Sequence, residues 1–308
     1  MKDTFVKYHP MTLLFYRLAF RVIKTCEKSV TDRLFVTIQY VVANGVKPNI
    51  KNPVKFSEKL QWLKLYDHTD EYTSMVDKIE AKKWVADRIG EKYIIRTLKT
   101  WDKAEDISIV DLPEKFVLKC SHNSGGVIVC TDKSKLDLVS IKTQFKTLLK
   151  ENYYYAGREW PYKNVVPRVF AESFITENTN EPLTDYKFYC FNGEPRFLYV
   201  SRTDPQHQDT PISYLDLEWN LTPFQRKKHR LLQPIPPLPE KFEEMLAICR
   251  KLADSVPFLR VDLYYIDGAI YFSELTFFPA SGYNTFEPEE WDRIIGDFLE
   301  LPNNANEQ

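Results

Sequence analysis

The dipeptide Asn192-Gly193 stands between two alternating apolar runs, 185–191 and 195–202. Both residues accept the positive φ that a two-residue hairpin turn demands, so the runs are predicted to pair as antiparallel strands. Such a turn sets 191 against 194, hence 187 against 198 and 185 against 200. Side chains alternate along a strand, so Asp185, Lys187, Leu198, Val200 and Arg202 are expected on one sheet face. Charges buried without partners are costly, so that face is either wet or holds an anion.

A second hairpin signal lies upstream. The polar loop Lys119-Cys120-Ser121-His122-Asn123-Ser124-Gly125-Gly126-Val127 joins the apolar runs 116–118 and 127–130, and it holds the chain's one pair of adjacent glycines. Without a Cβ, glycine lets backbone N–H groups approach an anion, and Lys119 sets an ammonium at the loop mouth. Taken alone, the stretch reads first as an ordinary turn with a solvated lysine.

The third signal is Asp267-Gly268, between the runs 258–265 and 269–277. Arg260 shares a face with Asp262, and Glu274 shares one with Thr276. A two-residue turn would pair 262 with 273 and send Glu274 to the opposite face. A three-residue loop, 267–269, pairs 262 with 274 and brings the two carboxylates together. Opposed carboxylates repel unless a cation lies between them. Few oxygen ligands beside phosphates favour Mg²⁺. The functional reading therefore requires the odd-length loop.

The remaining chain sets limits. Forty-two Lys+Arg against 43 Asp+Glu leave a net charge of −1, so no global field recruits nucleic acid. Five cysteines form no C-x-x-C pair, which fits reduced thiols in a cytoplasm. Residues 11–24 are predicted to form a helix whose apolar run is far too short to span a membrane. That helix packs on its own protein or rests on an anionic membrane surface. Further helices are expected from an N-cap at Ser57 and over 78–88, 139–152, 240–254 and 288–299. A strand over 168–175 carries Glu172. Residues 203–237 are predicted irregular, and their basic run 226–230 is a solvated surface or a contact for an acidic substrate.

The ordered set of flap lysine, Gly-rich loop, strand glutamate, Asp-x-Lys, Arg-x-Asp and Glu-x-Thr resembles an ATP-grasp enzyme. It is most similar to the TupA-like ATP-grasp family of bacterial surface-polysaccharide clusters. The resemblance is carried by 55–64, Asp77-Lys78, 116–122, 185–188 and 274–276 and covers about 40–290. It implies an α+β ATP-grasp fold, two subdomains clasping ATP, behind a mostly helical N-terminal region. The expected divisions are 1–76, 77–175 and 176–308. The resemblance also implies that Lys78 and Lys119 hold phosphates under Ser124, Gly125 and Gly126, with Glu172 at the adenine hinge and Asp185 near the ribose. Lys187, Arg202 and Arg260 would face the transferred phosphoryl group and the acceptor. Asp262, Glu274 and Thr276 would hold Mg²⁺, Thr276 standing where most ATP-grasp enzymes carry Asn. The implied function is a cytoplasmic carboxylate–amine ligase, with the inner face of the membrane as the alternative setting. It would join an amine or amino acid to a sugar acid, free or nucleotide- or lipid-linked. A glycosyltransferase and a non-catalytic nucleotide-binding protein are the rivals, and no Asp-x-Asp pair exists to serve the former.

Overall fold

Apolar runs punctuated by these turns build two antiparallel sheets, seen in a computed structural model that describes residues 7–176, 182–202, 210–226 and 229–303. The helices are α1 (Pro10–Thr25), α2 (Asp32–Asn44), α3 (Phe56–Tyr66), α4 (Glu71–Val76), α5 (Glu80–Ile89), α6 (Leu138–Leu148), α7 (Tyr154–Gly157), α8 (Phe242–Ala253) and α9 (Glu290–Asp297). The smaller sheet orders β1 (Thr97–Trp101), β4 (Val169–Ser173), β2 (Phe116–Cys120) and β3 (Ile128–Cys130). The larger orders β10 (Ala269–Thr276), β9 (Phe258–Ile266), β5 (Thr184–Phe191), β6 (Glu194–Arg202) and β7 (Ile212–Leu215). A short pair joins β8 (Gln225–Arg226) to β11 (Phe286–Glu287). Strands β7 and β8 thus lie within the stretch expected to be irregular. Residues 227–228 of the basic run lie outside the described residues.

Each sheet carries its own core. Ile141 and Phe145 of α6 pack with Trp101, Phe116, Leu118 and Cys120 of the smaller sheet. On the larger sheet, Phe242 of α8 meets Phe188 and Trp219 on one face. On the other face Phe56 of α3 meets Tyr189, Phe191, Phe258 and Phe286. Ala81, Val85 and Tyr93 join this larger core, as do Tyr154, Tyr162 and Val165. Packing therefore draws the line differently from the expected division at 77. The smaller unit begins near β1, and the helical segment before it belongs to the larger body.

Two bulges set the register. The turns Asn192-Gly193 and Asp267-Gly268 have φ of 48° and 87°, and 48° and 79°, the paired positive values of a type I′ turn. In the first hairpin, Cys190 pairs with Pro195 and Tyr189 with Phe197, so Arg196 is bulged out. Proline has no N–H for a regular ladder, and a bulge beside it accommodates the loss. Lys187 consequently lies opposite Tyr199, and Asp185 opposite Ser201. Leu198, Val200 and Arg202 go to the α8 side, correcting the expected face. In the last hairpin Ile266 pairs with Ala269, so the turn has two residues, not the three expected. A shift between Phe272 and Glu274 still sets Glu274 opposite Asp262. The extra residue is bulged Ser273.

The N-cap expectation at Ser57 also changes. Ser57 lies inside α3, and its hydroxyl donates to Asp292 of α9 at 2.6 Å. Glu58 caps the helix instead, accepting from the N–H groups of Val54 and Lys55 at 3.3 Å each. Lys59 completes the joint, donating to the carbonyls of Gly296 and Leu299. A Cβ at Gly296 would lie 2.8 Å from Phe56 N and closer still to the Val54 carbonyl. Gly296→Ala is therefore expected to overpack the α3–α9 joint and cost about 1–3 kcal/mol. Urea unfolding checks this: an unchanged midpoint would show that the joint yields freely.

Candidate active site

The open end of the larger sheet face carries Asp185, Lys187, Asp262 and Glu274. Asp262 is fully buried. Arg260 donates to it through Nε and Nη2, both at 2.7 Å, and Lys187 Nζ donates to Oδ2 at 2.7 Å. Burial alone would raise the Asp262 carboxyl, but Arg260 and Lys187 reverse this and hold it below the usual range. Burial would likewise lower Lys187, yet Asp185 and Asp262 push it well above an ordinary lysine. Asp185 Oδ1 is 3.2 Å from Lys187 Nζ. Its hydrogen-bond geometry is unmet, and burial pushes this carboxyl up.

The smaller sheet answers with cations. Glu172, nearly fully buried in β4, takes Lys119 of β2 on one oxygen and Lys82 of α5 on the other, the latter at 2.8 Å. Lys82 also donates to the Ile95 carbonyl and to Thr97. Burial lowers the Lys82 ammonium and Glu172 offsets part of that. Lys78 stands in the turn between α4 and α5. Its Nζ donates to the Asn123 carbonyl at 2.6 Å and lies 3.4 Å from Glu274 Oε1.

The glycine loop roofs this arrangement. Gly125 and Gly126 have φ of 115° and 63°, values that disfavour a side chain. A Cβ at Gly126 would also lie 2.8 Å from Leu148 Cδ1. Ser124 and Gly125 close a cleft of about 190 Å³ whose walls include Lys78, Lys82, Lys119 and Lys187 with Glu172, Asp185 and Glu274. Four cations against three carboxylates leave that space one positive charge in excess, a bias toward an anion. Phe170, Val127 and Tyr264 add apolar wall.

The structure therefore brings together Lys78, Lys119, Ser124, Gly125, Glu172, Asp185, Lys187 and Glu274, with Arg260 and Asp262 behind. It does not bring Arg202, whose Nε donates to Thr184 on the other face at 2.9 Å. Thr276 Oγ1 accepts from Arg260 Nη2 at 2.9 Å, so its hydroxyl holds the guanidinium. Lys82 was missed. Its one sequence signal is its place one helical turn beyond Lys78, on the same face.

Does the donor set suit Mg²⁺? Asp262 and Glu274 are direct cross-strand neighbours. Both Asp262 oxygens are engaged by cations, whereas Glu274 is the more open, its Oε2 standing 4.0 Å from Arg260. Among the described residues no three His, Cys, Asp or Glu are placed so that they could hold a metal ion by themselves. Mg²⁺ accepts one or two carboxylates and completes its shell with water and phosphate oxygens. The set fits an ion that arrives with phosphates, and does not fit one held by protein alone.

Lys187→Met would leave the buried Asp262 and the half-buried Asp185 each short of a partner. Its unfolding free energy is expected to fall by roughly 3–5 kcal/mol, measured by denaturant titration. Arg202→Met, on the opposite face, is expected to leave nucleotide affinity unchanged. A large loss of affinity on calorimetry would return Arg202 to the site.

A search of curated proteins found no match. Solved structures include the D-alanine–D-alanine ligase of Bacillus anthracis complexed with ATP, at 18% identity and TM-score 0.40 over 66% of this chain and 54% of that one. The Helicobacter pylori D-alanine–D-alanine ligase gives 16% and 0.42 over 82% and 68%. The ATP-grasp ligase PsnB, complexed with minimal precursor, Mg and ADP, gives 11% and 0.41 over 78% and 64%. The chain thus spans about half the length of the first. Likenesses this distant carry no functional weight. The family model described as TupA-like ATPgrasp matches residues 58–300, most of the chain. The protein belongs to the TupA-like ATP-grasp family.

Proposed function

We propose that this protein is an ATP-dependent carboxylate–amine ligase working through an acyl phosphate. One observation carries the reading: Lys119 of the smaller sheet, with Lys78 and Lys82 of the helical segment beside it, lines one cleft with Glu274 of the larger sheet, and Asp262 and Arg260 stand behind Glu274. Lys78 and Lys119 meet the triphosphate, with Lys82 behind them, and Ser124, Gly125 and Gly126 fold over it. On nucleotide binding Glu172 yields Lys119 to phosphate, charge for charge. Asp185 lies toward the ribose. Glu274, with Asp262 behind it, would hold magnesium, which would supply charge neutralisation at the transferred group.

A carboxylate oxygen of the acceptor attacks the γ-phosphorus, the bond to the β–γ bridging oxygen breaks, and ADP leaves. Lys187 and Arg260 stand where negative charge builds in that step, the main way such sites lower the barrier. An amine then attacks the acyl carbon, the C–O bond breaks, and phosphate departs while the amine gives up a proton. The substrates we propose are an amino acid or other amine and a sugar acid of a capsule or O-antigen precursor, joined in the cytoplasm. The polysaccharide setting rests on the family alone, a weaker support than the site chemistry.

Two measurements test this reading. Lys119→Ala should keep its fold and weaken ATP binding about ten- to a hundredfold, the loss of a charge-assisted bond. Unchanged affinity on calorimetry would leave Lys119 a mere partner of Glu172. With ¹⁸O-labelled uronic acid, amine and Mg-ATP, released phosphate should carry one label. Product made from a nucleotide-sugar without ATP consumption would favour the glycosyltransferase instead.

A further inference from the structure

Helix α1 turns an apolar surface outward. Its 16 residues hold no Asp or Glu but three cations, Arg17, Arg21 and Lys24, in a chain whose 42 basic and 43 acidic residues nearly balance as a whole. Only Ile23 is buried, and Phe20 packs edge-on against Phe35 of α2. On the far side Met11, Leu14, Phe15, Leu18 and Val22 stand exposed, Phe15 by 68% and Val22 by 66%. A step of roughly 100° per residue gathers these five within one arc about 100° wide and about 17 Å long. Arg21 and Arg17, both exposed, border the arc on one edge.

A ridge of exposed large apolar side chains marks an interaction surface, and its flanking charge is of one sign. We propose that α1 is a docking helix for an anionic lipid bilayer, its apolar arc at the acyl boundary and its arginines among the headgroups. Apolar arc, cationic border and absence of acid are what such an interfacial helix needs. A second copy of the chain is the poorer occupant. One five-residue ridge is small beside the ~800 Å² per partner of a typical interface, and two-fold pairing would bring arginine borders toward one another. The helix is tied to the body, with Tyr8 N–H bonding the Gly45 carbonyl and Lys24 reaching the Tyr155 carbonyl. Docking would therefore orient the whole enzyme at the bilayer. Among the described residues no helix is long and apolar enough to cross a membrane, so the contact is peripheral. This inference is independent of the ligase reading, since lipid binding and ADP release are measured apart.

The test is co-sedimentation of the full chain with vesicles of three parts phosphatidylcholine to one part phosphatidylglycerol, beside vesicles of phosphatidylcholine alone. Wild type should pellet with the anionic vesicles and be released by high salt. Phe15→Ser with Leu18→Ser should abolish pelleting. Arg17→Gln with Arg21→Gln should weaken it about thirtyfold, from roughly tenfold or less per charge. Circular dichroism and ATP affinity should match wild type for both variants, so loss of binding is not loss of fold. Absence of wild-type pelleting, or pelleting indifferent to both variants, would overturn the proposal. So would a concentration-dependent dimer that Phe15→Ser with Leu18→Ser dissociates, since that assigns the ridge to a second copy.

Discussion

The Asp262 carboxylate is the point on which the larger sheet depends. It has no exposure to water, and three charge-assisted bonds from Arg260 and Lys187 compensate that loss. Burying a carboxylate is strongly unfavourable unless such partners are in place. The two donors come from β9 itself and from β5, so the bonds also pin two strands. Slipping either strand by one residue would turn its charged group into the α8 core. Glu274 then follows from β10, opposite Asp262, and Thr276 from the same strand holds the guanidinium by its hydroxyl. One ionic knot thus fixes strand register and presents the acids to the cleft.

The smaller sheet repeats that logic with the same signs. There a buried acid, Glu172, gathers Lys119 and Lys82, and its own burial cost is outweighed by the two ammoniums, which hold its carboxyl low. Facing sheets present cations on one side and acids with Lys187 on the other. A triphosphate with its metal ion carries both signs and suits both walls. Lys78 belongs to neither sheet. Bonded to the Asn123 carbonyl and near Glu274, it ties the glycine loop to the larger sheet. The loop's two positive-φ glycines let it turn at that tether.

Much of this was legible in sequence because local chemistry decided it. Asn192-Gly193 and Asp267-Gly268 declared their turns, and the glycine loop declared itself between two strands. The bulges were harder. Pro195 did advertise a lost N–H, and reading it would have moved Arg202 to the α8 face. Nothing local marks Ser273 as bulged, since the pull comes from Asp262 and its partners across the sheet. Lys82 was hidden because a lysine on an amphipathic helix is ordinarily solvated, and only the tertiary approach of Glu172 reveals its role. Ser57 erred for the same reason: its partner Asp292 lies more than two hundred residues away. Local rules saw the turns, while long-range ion pairs chose the register.

The central claim, that the lysine wall and the acid wall close on one nucleotide, is tested most directly by a crystal structure with Mg²⁺ and a nonhydrolysable ATP analogue. The account predicts the triphosphate between the 119–127 loop and β10, Lys119 moved from Glu172 to phosphate, and the metal at Glu274. A nucleotide bound elsewhere, with the Lys119–Glu172 pair intact and Glu274 without metal, would contradict it.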